Sequence, residues 1–243
     1  MKIIDAHAHL GVWPFPIEQV HLTALQEILD KFGFYRTIVS SARAILYDME
    51  EGNREVAEAA SQDERILGLI FVNPNLLEKS ISELERWGTD SRFVGVKYHP
   101  SYVKLPVNAP ENQPLLEKIA ELRLPLCVHT WGRELGASAL DVARKYSNLK
   151  LVCFHMGWPD YEDLLEKARP LENVSVEIAV TGVEHNRVRR AVEVLGKERV
   201  LFGTDTTLLN PARMLGLVEE SRLTAEEKEF IFHRNAERVF KIS

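Results

Sequence analysis

Three histidines and an aspartate set the chemistry open to this chain. In DAHAHL, residues 5–10, Asp5, His7 and His9 take alternate positions of what otherwise reads as a buried strand. Buried strands are normally Val, Ile and Leu, so two imidazoles and a carboxylate on one face need a physical reason. His129 ends the run LPLCVHT, His155 lies in LKLVCFHM, and Asp205 ends RVLFGTD. Two imidazoles at i and i+2, a third imidazole and a carboxylate form a donor set for Zn²⁺, with Mn²⁺ or Fe²⁺ as alternatives. A divalent cation lowers the pKa of bound water to about 7, which supplies hydroxide at neutral pH. Asp205 is then the group to take the water's proton and pass it to a leaving group.

Residues so distant in sequence meet only if their elements converge. Eight β-rich runs are legible: 2–9, 36–42, 65–73, 92–99, 124–130, 149–156, 173–179 and 199–205. Amphipathic helical stretches lie between them: IEQVHLTALQEILDKFG, GNREVAEAASQ, PLLEKIAEL, ASALDVARKY, YEDLLEKA, HNRVRRAVEVLG and PARMLGLVEES. Strand starts are spaced by about 28 residues, the size of one βα unit. The pattern is that of a closed (β/α)8 TIM barrel, formed as a single domain by residues 1–243. An open doubly wound sheet would carry a Gly-rich phosphate turn after its first strand, and HLGVWPFP lacks that spacing. The tail LTAEEKEFIFHRNAERVFKIS adds one or two C-terminal helices, the first opened by a capping box of Thr224 and Glu227. In a barrel the C-terminal strand ends share one rim. That rim gathers His7, His9, Lys97, His99, His129, His155 and Asp205.

Composition narrows the classes. Hydrophobic content is 45%, charged content 27% and net charge −6, ordinary for a globular chain and unfavourable for nucleic acid. Cys127 and Cys153 form no C-x-x-C pair. Neither a secretory signal nor an apolar run long enough to span a membrane is legible. The expectation is a cytoplasmic protein with a small-molecule substrate and neither nucleic-acid nor membrane partners; a homo-oligomer is left open.

DAHAHL, VHT, FHMG and VLFGTD, in this order, resemble the metal-dependent amidohydrolase superfamily. Within it the chain is most similar to the amidohydrolase 2 branch, which includes the aminocarboxymuconate-semialdehyde decarboxylase-like enzymes. The closing HRNAERVFKI is similar to that branch's tail. The resemblance implies His7, His9, His129 and Asp205 as metal ligands. It places His155 at a position that binds a second metal or hydrogen-bonds the attacking water. Lys97, in GVKYHP, stands near the lysine that is carbamylated and bridges two metals in binuclear members. The branch usually uses one metal, so one cation is expected, and Lys97 joins the ligands only if carbamylated.

The expected activity is that of a metal-dependent hydrolase. A metal-activated water attacks a carbonyl-type carbon of an amide, lactone or other ester, His155 steadies the developing charge, and Asp205 moves the proton. The same ligands serve a rival reaction, non-oxidative decarboxylation of an unsaturated or aromatic acid, because function resides in pocket detail. A TatD-like deoxyribonuclease would be expected to have a carboxylate where Lys97 stands. A non-enzymatic metal-binding protein is at odds with the intact ligand set.

Further residues carry two readings each. Trp13, Trp131 and Trp158 follow strands 1, 5 and 6 and either wall a substrate pocket or pack loops on the rim. Arg133 either clamps a substrate carboxylate or is solvated. His99 either meets substrate or makes a rim hydrogen bond. Asp5 could orient a ligand. Glu177 could point inward, but a one-residue slip would turn it out. Asp205 could instead be a helix N-cap. His185 could reach the pocket but suits a helix-start surface position, and His21 and His233 read as structural. The cysteines, placed on the inward face, read as small core packers.

Overall fold

Eight fully buried or nearly buried strands form one parallel sheet in sequence order, as seen in a computed structural model describing residues 1–17, 21–182, 184 and 186–242. The strands are β1 (Ile4–Leu10), β2 (Arg36–Ser41), β3 (Ile66–Phe71), β4 (Phe93–Tyr98), β5 (Leu126–His129), β6 (Leu151–Phe154), β7 (Val174–Glu177) and β8 (Val200–Leu201). Parallel strands buried on both faces read as continuous apolar runs, which is why all eight were legible. The sheet closes on itself. Ala6 N–H donates to Phe202 O at 3.0 Å, Asp205 N–H to His7 O at 2.8 Å, and His9 N–H to Thr206 O.

Helices wrap the sheet: α1 (Leu22–Phe32), α2 (Ala42–Leu46), α3 (Met49–Gln62), α4 (Leu77–Trp87), α5 (Pro100–Val103), α6 (Gln113–Leu122), α7 (Arg133–Lys145), α8 (Tyr161–Ala168), α9 (Arg187–Leu195) and α10 (Pro211–Glu220). α1 stops at Gly33, whose φ of 65° caps the helix in a left-handed turn. α4 was absent from the helical stretches read in the sequence, as were the short α2 and α5. The tail forms α11 (Ala225–Glu229), with the expected Thr224–Glu227 capping box, and α12 (Asn235–Phe240). Among the described residues no helix is long and apolar enough to cross a membrane.

Two apolar clusters divide the core. One joins the strands' outward side chains to the helices. The other joins Ile4, Ala6, Ile38, Leu67, Leu69, Val94, Cys127, Val152, Phe154 and Leu201 to Ala236, Val239 and Phe240 of α12. The second is the barrel interior, closed at the strands' N-terminal end by the last helix. Cys127 sits inside it as a packer, but Cys153 belongs to the outer cluster, contrary to the inward placement expected of both.

Candidate functional site

Strand geometry departs from simple alternation at the two places that matter most. The β1–β2 register shifts between Asp5 and Ala8. Ile4 and Ala6 join the interior cluster, yet the His7 ring also lies inside, 4.0 Å from the Phe154 ring. Asp5 therefore does not serve the imidazoles directly, as an unbroken face would have it. Its carboxylate accepts the His7 N–H at 3.1 Å and both the N–H (2.9 Å) and O–H (2.5 Å) of Thr204. It locks β1 to the segment that delivers Asp205, and burial pushes its pKa up to about 7. On β6, Val152 and Phe154 face inward, so alternation would turn His155 out. A left-handed backbone at His155 (φ 68°) swings it back over the rim. Asp205 has the same rare conformation (φ 58°). Such backbones cost roughly 1–2 kcal/mol each in a non-glycine residue and cluster at functional sites.

His7, His9 and Asp205 come together, their ligand atoms all within 4.8 Å of one another. Asp205 Oδ1 lies 3.2 Å from His9 Nε2 and 3.5 Å from His7 Nε2. No donor hydrogen is aimed at that buried oxygen. The outer nitrogens explain why. His155 Nδ1 lies 2.7 Å from Ala179 O, a carbonyl that can only accept, so Nδ1 carries the proton. His9 Nδ1 faces Ser40 O at 3.3 Å and Ser40 Oγ at 3.1 Å. His7 Nε2 is 3.2 Å from Lys97 Nζ, whose ammonium can only donate. His7 and His155 Nε2 are thereby lone-pair donors, and Ser40 O offers His9 Nδ1 the acceptor that gives its Nε2 the same role, the usual state of ligating imidazoles. A buried carboxylate oxygen without a donor, facing two such nitrogens, fits a divalent cation.

Electrostatics agree. Burial first, and neighbouring positive groups second, hold His7, His99 and His129 well below the ordinary imidazole range; burial brings His155 to about 4. Burial brings the Lys97 amine down to about 8. Burial alone would raise Asp205, but His9, His155 and Lys97 more than offset it, and the carboxyl stays below its ordinary value.

The remaining expected residues divide. His129 lies outside both close groups of ligand atoms, His7 with His9 and Asp205 and His7 with His155 and Glu177; its ring stacks on His99 at 3.8 Å and stands 4.6 Å from His155. A cavity of about 440 Å³ opens above, lined by His9, His99, His129, His155 and Asp205 with Trp13, Phe15, Tyr102, Trp131 and Lys104 among its walls. Trp13 and Trp131 thus line the cavity; Arg133 and Trp158 do not. Asp160 and Asp163 draw the exposed Arg133 guanidinium outward at 3.2 and 3.9 Å, and Trp158 stacks on Tyr161 and fills the space beside Gly182. Lys97 is buried beneath the site, 4.0 Å over the Phe154 ring. His185 lies outside the described residues. Sequence reading missed Ser40, Phe15, Tyr102 and Lys104. The Ser40–Ser41 pair ending an apolar strand was the one available signal.

A family model described as amidohydrolase matches residues 4–242. No curated protein matches the chain. Among solved structures, the chain resembles 5-carboxyvanillate decarboxylase from Sphingomonas paucimobilis, with a TM-score of 0.80 and 17% identity over 100% of this chain and 99% of that one. A dihydroxybenzoic acid decarboxylase from a Polaromonas species, with bound manganese and the inhibitor 2-nitroresorcinol, gives 0.81 and 20% over 99% and 97%. A probable 2-pyrone-4,6-dicarboxylic acid hydrolase from Acinetobacter baumannii gives 0.77 and 17% over 100% of both chains. At these identities the likeness is one of fold.

Proposed function

Because the chain belongs to the amidohydrolase family, we propose that it is a metal-dependent hydrolase cleaving an amide, lactone or other ester of a small organic molecule. The observation that supports the cation in this reading is the unpartnered Asp205 Oδ1 facing two imidazole Nε2 atoms. His7, His9 and Asp205 would hold one divalent cation, zinc first and manganese or iron as alternatives, with His129, which lines the cavity beside them, as the proposed further ligand. A cation there supplies Lewis acidity and an acidified water. Asp205, kept ionised by its neighbours, accepts the proton of the attacking water and returns it to the leaving atom. His155 Nε2 carries no proton, so His155 accepts a hydrogen bond and orients the water rather than donating to a developing oxyanion. Trp13, Trp131 and His99 contact the substrate. Lys97 stays outside the ligand set unless carbamylated.

A second reading, decarboxylation of an aromatic or unsaturated acid, draws support from the flat faces of Trp13, Phe15, Tyr102 and Trp131 around the cavity. Such walls suit planar acids like those acted on by the decarboxylases of similar fold. One experiment separates the two. The purified chain is analysed for metal, then given a panel of lactones, amides and aromatic acids with and without chelator. Chelator-sensitive formation of the free carboxylate product without CO₂ is expected; CO₂ release establishes the second reading. Metal binding with no turnover on either panel defeats both.

A further inference from the structure

A buried carboxylate at the end of β7 faces away from the cavity and towards the backs of the candidate ligands. Glu177 Oε2 lies 2.9 Å from His7 Nδ1 and accepts the His155 N–H at 3.4 Å; Oε1 accepts the Ala179 N–H. Ala179 also presents the carbonyl that holds His155 Nδ1. The strand end is itself fixed from behind, where the buried Arg187 donates Nη2 to Ile178 O at 2.7 Å. Space for the carboxylate comes from Gly203, where a Cβ would land on Glu177 Oε1, Cδ and Cγ. Glu177 thus points inward, as its strand register allowed, but its partner is an imidazole rather than a substrate.

From this geometry we infer that Glu177 is a positioning residue. It holds the His7 proton on Nδ1 and so directs Nε2 into the site; by seating Ala179 it does the same for His155. The inference rests on the cation reading above. A carboxylate behind a ligating imidazole fixes its tautomer and raises its basicity. Glutamine is isosteric but has a single acceptor oxygen, so its NH₂ must confront the Ala179 N–H or the His7 Nδ1–H.

The test uses the full chain and zinc alone as the probe. Imidazole ¹⁵N spectra of the wild-type protein are expected to show His7 protonated at Nδ1; protonation at Nε2 overturns the inference without any substitution. Zinc titration of metal-stripped protein is expected to show dissociation constants raised about 10- to 100-fold in Glu177→Gln. Gly203→Ala, which displaces an intact Glu177, is expected to weaken zinc in the same direction. Tight wild-type binding with an unchanged Glu177→Gln constant overturns the role of Glu177 alone. No zinc binding by the wild type overturns the cation reading and takes this inference with it. Should Glu177→Gln fail to fold, the wild-type ring-nitrogen spectrum decides.

Discussion

Asp205 is asked to do two things, to hold a cation and to move a proton, and its surroundings permit both. Its Oδ1 lies within 3.5 Å of two imidazole nitrogens and has no donor of its own. Replacing it with asparagine keeps the shape and removes the charge and the base. We expect Asp205→Asn to lower kcat/KM by about 10²- to 10⁴-fold, measured by steady-state assay on the substrate found in the panel. Activity within twofold of wild type would remove the base from the mechanism. The types of these residues were legible in the sequence because a histidine or aspartate ending an apolar strand is conspicuous. Their outer partners were not. Whether Asp5 meets a ring or a backbone N–H depends on one register shift, and the aim of His155 depends on a single left-handed φ. Neither is encoded by spacing alone.

The elements that hold the rim in place rely on polar contacts as well as apolar ones. α4 is absent from the helical stretches above although Leu77, Ile81 and Leu84 recur at helical spacing; its buried face joins the polar Ser80 and Glu83 to Leu84 and Trp87. Glu83 Oε2 accepts from Trp87 Nε1 and Asn53 Nδ2, each at 2.9 Å, and Asn53 also bonds both the N–H (2.9 Å) and the O (3.1 Å) of Phe71. Asn53→Ala strands several buried groups at once and is expected to cost about 2–3 kcal/mol in urea unfolding, the penalty for orphaned polar atoms. A loss below the measurement error would mean that water replaces the amide. α2 and α5, at five and four residues, are too short to show a period. A second joint, between α3, α1 and β3, carries a pH signature. Hydrogen bonds from Arg65 hold the Asp63 carboxyl at about 2, below its ordinary 3.8, while Arg65 also reaches Asp30 of α1. The stabilisation is complete above about pH 4 and lost as pH falls through about 2. With solvent screening it is worth about 1 kcal/mol. Asp63→Asn should therefore destabilise the chain at pH 7, with the difference from wild type shrinking toward pH 2; a gap constant with pH would assign it to packing instead.

At the scale of the whole molecule, the first and last strands must meet before any site exists, since His7 and His9 come from β1 and Asp205 follows β8. The pairing of His7 O with Asp205 N–H, at 2.8 Å, is at once a closure bond of the sheet and a bond between two candidate ligands. Barrel closure was legible from eight regularly spaced apolar runs; the identity of the plug beneath it was not, because the tail's helical pattern does not say which face of the barrel it covers. α12 covers the end opposite the cavity, burying Phe240 to 3% exposure against strand beginnings such as Ile4, Ile38 and Val94. Truncating a buried phenylalanine costs about 3–5 kcal/mol, and the surrounding strands are held too firmly by the sheet to collapse into the void. For a chain of this size each kcal/mol moves the midpoint by roughly 2–4 °C, so Phe240→Ala should lower Tm by about 6 °C or more. Because the plug and the rim lie at opposite ends of a rigid sheet, turnover per folded molecule, measured well below the lowered Tm, should stay at the wild-type value. A fall in kcat at full folding would show that packing at the barrel floor is transmitted to the ligand cluster. The two ends would then have to be treated as one mechanical unit.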